Sequence, residues 1–132
     1  MALRLSLTLL PESVAICHLE PAEPMPTWAT ATTWWSITRT ADEWSVVCAE
    51  SMVPAGVSAS RGWRALRIAG GPLPLDQTGI LASVTGPLAE ARVSVFALAT
   101  FNTDYVLIPA AQRAAAIEAL ERAGHSVGSL GY

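Results

Sequence analysis

Apolar and polar residues alternate from Leu3 to Leu10: Leu3, Leu5, Leu7 and Leu9 fall on one face, Arg4, Ser6 and Thr8 on the other. That period of two predicts a half-buried strand. Pro11-Glu12-Ser13 reads as a turn, and the apolar run Val14 to Leu19 as the hairpin partner of the first strand. Pro21, Pro24 and Pro26 then leave room for no more than a single helical turn. Trp34 to Thr40 and Trp44 to Cys48 read as two strands joined by Ala41-Asp42-Glu43, and Ala49 to Gly62 as mostly loop. Arg64 to Ala69 reads as a strand that Gly70-Gly71-Pro72 breaks.

The next stretch, Leu75 to Pro109, is the best patterned part of the chain. Asp76, Gln77 and Thr78 offer side chains to cap a helix beginning near Gly79. Ile80, Leu81, Val84 and Leu88 give that helix one apolar face, and Pro87 is expected to kink or shorten it after Gly86. Val93 to Thr100 and Tyr105 to Ile108 suit buried strands. Phe101, Asn102 and Thr103 connect them, and Asn tolerates the positive φ of tight turns. Pro109 precedes a second helix over Ala110 to Ala123, with Ile117 and Leu120 inward, Glu118 and Arg122 paired outside, and Gly124 as the stop. His125 to Val127 reads as a short closing strand. The order β-α-β-β-α-β from Arg64 onward predicts an α+β, ferredoxin-like plait: four antiparallel strands with two helices on one face.

Laying the chain over itself at an offset of about sixty residues brings out an internal repeat. Ala2-Leu3-Arg4-Leu5 echoes Ala65-Leu66-Arg67-Ile68, and Ser36 to Val47 echoes Ala97 to Ile108, with Glu43 over Asp104 and Trp44 over Tyr105. The expectation is two tandem modules: residues 1–62, helix-poor and degenerate, and residues 63–132, complete. All five tryptophans, from Trp28 to Trp63, lie in the first half of the chain, as compensating bulk or as part of a subunit interface.

Composition narrows the chemistry. The 132 residues are 52% hydrophobic and 14% charged, enough for a large core, and the net charge of −3 argues against nucleic-acid binding. All eight cations are arginines, so there is no lysine for a Schiff base or a phosphate loop. Cys17 and Cys48 read as two buried thiols more readily than as a disulfide, and Cys17-His18 with distant Cys48 matches no zinc spacing. No apolar run approaches the ~18–20 residues of a membrane span, so a cytoplasmic location is expected. His125 is read as a cation at a helix end or an ordinary exposed histidine. No GxSxG motif, glycine-rich phosphate loop or carboxylate pair is evident, so an enzyme is not expected, and no cofactor or metal is implied.

The segment QTGILASVTGPLAEARVSVFALATFNTDYVLIP resembles the ACT domain, the regulatory module of aspartokinases and other amino-acid biosynthetic enzymes. With WSITRTADEWSVVCAE and GWRALRIAG upstream, it is similar to small bacterial proteins of two tandem ACT-like modules related to the CASTOR-type arginine sensors. The resemblance spans roughly Thr33 to Val127 and is most specific at Thr78-Gly79-Ile80-Leu81 and Thr103-Asp104-Tyr105. It implies a βαββαβ fold that binds a free amino acid at an interface between modules. The helix start at Thr78, Gly79, Ile80 and Leu81 would take the ligand carboxylate on backbone amides. Asn102, Thr103 and Asp104 would take the amino group or a cationic side chain, and Ser36, Thr38 and Glu43 the matching half by the repeat. From the residues alone, Asp104 is equally a turn-capping acid, and Ser36, Thr38 and Glu43 are ordinary surface residues. Exposed sheet edges predict at least a homodimer. The rival reading is an ACT-fold interaction module without a ligand, docking onto a partner enzyme.

Overall fold

The computed structural model describes residues 3–68 and 72–129, and the Gly70-Gly71 break lies outside them. The fold is α+β: strands β1 (Ser6–Leu19), β2 (Ser36–Arg39), β3 (Trp44–Ala49) and β4 (Ser58–Ile68), helix α1 (Ile80–Glu90), strands β5 (Phe96–Ala99) and β6 (Asp104–Pro109), helix α2 (Arg113–Arg122) and strand β7 (Ser126–Ser129). The chain forms two compact units: Met1–Pro11 with Arg64–Tyr132, and Glu12–Trp63. The first eleven residues thus group with the C-terminal segment and not with residues 12–62.

In the first unit the strand order is β7-β1-β4-β6-β5. Two features differ from the expected plait. The run from Ser6 to Leu19 is one continuous strand and not a hairpin. Pro11 lies in the gap between the β7 partners, Ser6 to Leu9, and the β3 partners, Val14 to Leu19, where its missing N–H interrupts neither ladder. Second, β7 runs parallel to β1, with Ser6 against Ser126, and β1 lies between it and β4. Strand β4 also starts earlier than expected, so residues 58–62 are strand and not loop.

The core of this unit joins Leu7 and Leu9 of β1, Leu66 and Ile68 of β4, and Val106 and Ile108 of β6 to Ile80, Val84 and Leu88 of α1 and Ala116 and Leu120 of α2. The alternation in β1 and the four-residue spacing in α1 are the cause, because each places one apolar face toward the same layer. Leu81 and Ile117 are half-buried, and the small Ala116 and Ala119 take the inward positions of α2 beside Leu120.

Both helices end the same way. The amides of Gly124 and His125 donate to the carbonyls of Glu121 and Leu120, with Gly124 at φ +101°. In α1 the amides of Arg92 and Val93 donate to Ala89 and Leu88, with Arg92 at φ 60°. Each is a Schellman end, satisfying carbonyls that the last turn leaves open. Helix α1 continues to Glu90 with Pro87 inside it, so the expected shortening after Gly86 does not occur.

In the second unit β3 pairs antiparallel with β1 on one side and with β2 on the other. Its core is small: Ala15, Cys17, Ala29, Val46 and Cys48, with Trp28 and Trp44 packed against it. Aromatic bulk thus stands where helices would add apolar area. Cys17 and Cys48 are free, buried thiols.

The repeat has a structural counterpart. Arg39 faces Trp44 across the β2–β3 hairpin, and Ala99 faces Asp104 across β5–β6. In both turns a threonine amide, Thr40 or Thr100, donates to the carbonyl three residues on. In both turns that threonine's hydroxyl also accepts the amide of the same later residue, Glu43 or Thr103. By register and turn bonding Glu43 corresponds to Thr103 and Trp44 to Asp104, one residue away from the sequence overlay.

Candidate functional site

The two features that carry chemistry in the Leu75 to Pro109 stretch meet in one cleft of about 360 Å³. It is lined by residues 73–75 and 77 of the loop before α1, residues 79–82 of the helix start, and residues 99–104 of the β5–β6 hairpin. Gly79, Ile80, Leu81, Asn102, Thr103 and Asp104 all line it as expected, whereas Thr78 is exposed and does not. Ser36, Thr38 and Glu43 belong to the second unit and are not among its lining residues.

The helix start differs from expectation in its cap. Gly79 is the N-cap, in the left-handed region at φ 83°, and no side chain caps the helix. Asp76, Gln77 and Thr78 are exposed upstream, the first two within a turn held by the Gln77 amide on the Pro74 carbonyl. The first intrahelical bond comes from the Ser83 amide to the Gly79 carbonyl, 3.0 Å. By helix geometry the amides of Ile80, Leu81 and Ala82 face out of the N-terminus at the positive end of the dipole, where an anion is held well. A Cβ on Gly79 would meet nothing within 4 Å. Glycine is there for its backbone angle and not for close packing.

The hairpin is braced from inside. The Thr103 hydroxyl donates to the Ile68 carbonyl at 2.6 Å, and the Leu73 amide donates to the Asn102 carbonyl at 2.6 Å. These two bonds tie the hairpin to the end of β4 and to the loop that leads into α1. Thr103 is thus a brace for the cleft wall, its hydroxyl proton already committed. The turn needs no positive φ at Asn102, because the Thr100 side chain and backbone close it. Asp104, half-buried at the start of β6, is the one charged side chain among the described lining residues.

The sequence does not mark the rest of the cleft lining, of which Leu75 and Phe101 stand out. Leu75 and Phe101 line it at 73% and 79% exposure, two large apolar side chains open to water. The available signal was an aromatic within a turn otherwise polar, and leucines alternating with prolines in Pro72-Leu73-Pro74-Leu75. His125 was misread: it is 5% exposed, inside the unit, and is not a surface cation. Among the described residues, no group of histidines, cysteines and carboxylates is arranged to hold a metal, and no helix is long and apolar enough to cross a membrane.

The ACT domain family matches residues 58–122, and a separate N-terminal-domain family matches residues 12–56. The chain is 43% identical over 65 residues to the human "Cytosolic arginine sensor for mTORC1 subunit 1", covering 49% of this chain and 20% of that protein. The bovine protein of that name is 42% identical over 72 residues, covering 54% of this chain and 22% of its own. The chain thus spans about a fifth of these relatives' length. A crystallised Agobacterium tumefaciens protein is 34% identical, covers 99% of this chain and 97% of its own, and superposes with a TM-score of 0.92. The ligand-free regulatory subunit of aspartate kinase from Thermus thermophilus, 14% identical over 85% of this chain and 93% of its own, shares the fold with a TM-score of 0.60. Residues 58–122 belong to the ACT-domain family, and the chain is related over about half of its length to the CASTOR-type arginine sensors.

Proposed function

We propose that this protein is a non-catalytic sensor that binds a free amino acid in the cleft between the start of α1 and the β5–β6 hairpin. The observation that carries the reading is the pairing, in one cleft, of an uncapped helix N-terminus with a single carboxylate, Asp104. An α-amino acid presents the complementary pair of charges. Its carboxylate would sit on the amides of Ile80 to Ala82, and a cationic group would face Asp104. Among the described residues that line the cleft there is no cationic side chain, so a ligand that brings its own cation fits best. The arginine sensors among the relatives favour arginine as the first ligand to test.

The reading keeps two tandem ACT-like modules that meet near residue 63, the first helix-poor. The equal hairpin registers support it. Ser36, Thr38 and Glu43 have at most an accessory part, because the residue equivalent to Asp104 in their hairpin is Trp44. The assembly would be at least a homodimer, which light scattering at micromolar concentration tests: a monomer defeats that part. For the ligand, the experiment is isothermal calorimetry with arginine on the wild type and on Asp104→Ala. Wild-type binding that the variant abolishes is the expected result. Wild-type silence toward arginine and the other amino acids, with no pre-bound ligand by mass spectrometry, leaves a ligand-free interaction module, for which exposed Leu75 and Phe101 would be the contact residues.

A further inference from the structure

Helix α1 contains a proline yet runs on without a break, and the reason lies outside the helix. An amide at position 87 would serve the Ser83 carbonyl, four residues back, but Pro87 has no N–H. The Nε2 atom of His125 lies 2.8 Å from that same carbonyl oxygen. On the other side of the ring, Nδ1 accepts the Leu5 amide at 3.0 Å. An acceptor at Nδ1 places the ring proton on Nε2, so His125 donates to Ser83 the hydrogen bond that Pro87 cannot. The Schellman end of α2 aims the ring inward, since the His125 amide is held on the Leu120 carbonyl at 3.0 Å.

Ser83 is also the residue that closes the first turn of α1. Its amide donates to the Gly79 carbonyl at 3.0 Å, and its hydroxyl donates to the Ile80 carbonyl at 2.7 Å. A continuous line of hydrogen bonds therefore runs from the Leu5 amide through the imidazole to Ser83 and on to Gly79 and Ile80 at the lip of the cleft. Leu5 is itself anchored, its carbonyl accepting the Ser126 amide at 2.9 Å.

We propose that His125 is a positioning residue for the cleft: through Ser83 it holds the first turn of α1, and with it the anion-binding amides, in place relative to Leu5, the residue that leads into β1. What the cleft binds rests on the function proposed above; the positioning does not.

The test uses the full chain as wild type, Pro87→Ala, His125→Phe and the double variant, with amide hydrogen exchange as the first readout. His125→Phe keeps a ring in the site and removes both of its hydrogen bonds, while Pro87→Ala supplies an N–H to Ser83. Exchange at Ser83, Val84 and Thr85, the first amides bonded within α1, should rise roughly tenfold in His125→Phe and return toward wild type in the double variant. The amides of Val46 and Val47, in the other unit, should not respond. Unchanged exchange in His125→Phe, or an equal rise in the double variant, overturns the proposal. Should His125→Phe alone not fold, Pro87→Ala and the double variant are compared. Equal first-turn protection supports the proposal, and loss of protection in the double variant overturns it. Calorimetry with arginine as probe then separates the two readings. Weaker binding in His125→Phe that the double variant restores supports both. No arginine binding by the wild type defeats the functional reading, and exchange alone then decides the role of His125.

Discussion

Trp44 occupies in the β2–β3 hairpin the register position that Asp104 occupies in β5–β6: each is the first residue of its strand, facing Arg39 and Ala99 respectively. The Trp44 ring lies under the Arg39 guanidinium, 5.1 Å from charge centre to centroid, and its indole N–H donates to the Glu23 carbonyl at 3.0 Å. One hairpin thus opens its strand on a carboxylate and the other on a packed indole. The expected outcome is one ligand per chain by calorimetry. Asp104→Asn should abolish binding, while Trp44→Phe should leave the affinity unchanged and lower only stability. Loss of affinity in Trp44→Phe would place the second hairpin in the site.

Gly79 carries the helix start on a left-handed backbone at φ 83°, which costs an L-residue roughly 1–2 kcal/mol. Gly79→Ala should therefore destabilise the fold by about 1 kcal/mol in denaturant titration and weaken ligand binding as well, because the amides of the first turn would shift to relieve the angle. A variant as stable as wild type with full affinity would show the turn to be more adaptable than this.

Thr103 should matter through its brace and not through ligand contact. Thr103→Val keeps the shape and removes the 2.6 Å bond to Ile68, leaving that carbonyl without its donor. A loss of about 1 kcal/mol is expected, seen as a drop of several degrees in Tm for a chain of this size. Thr103→Ser should recover most of it.

Arg92 is the one described non-glycine residue at positive φ, at 60°, where it ends α1. Its carbonyl accepts the Gln112 side-chain amide at 3.1 Å, a bond that does not need the arginine side chain. Arg92→Gly should raise stability by about 0.5 kcal/mol, the backbone relief outweighing the extra chain entropy of glycine. A fall in Tm would show that the arginine side chain holds the loop.

The two thiols give a pH dependence whose sign follows from their pairing. The Cys48 thiol, hydrogen-bonded to Cys17, holds Cys17 below the ordinary value of 9.0, and the same contact with burial pushes Cys48 far above it. Below pH 9 the folded chain gives up the Cys17 proton more readily than the unfolded chain does, so stability rises with pH. Above pH 9 the unfolded chain has lost both protons and the folded chain keeps one on Cys48, so stability falls, by at most about 1.4 kcal/mol per pH unit. The double variant Cys17→Ala/Cys48→Ala should lack this rise and fall in urea titrations across that range.

Local pattern carried much of this protein. The helix from Ile80, the β5–β6 hairpin and Asp104 at its end lie within a few dozen residues, where apolar spacing and turn chemistry act on neighbours in the chain. The gathering of Gly79 to Leu81 with Asn102 to Asp104 came from the family resemblance carried by those same residues. Tertiary structure decided the rest. Alternation from Leu3 to Leu9 reports which face is buried but not which strands lie alongside, so the parallel partner β7, 120 residues away, was invisible. The same limit hid the continuity of β1 through Pro11, whose missing N–H matters only once the neighbouring strands are known. It also hid His125, read as a surface residue, whose two ring nitrogens find Leu5 and Ser83 only in the folded chain. Pro87 looked like a helix breaker because its missing hydrogen bond is local, while the replacement comes from a residue 42 positions from Ser83 that only packing brings near.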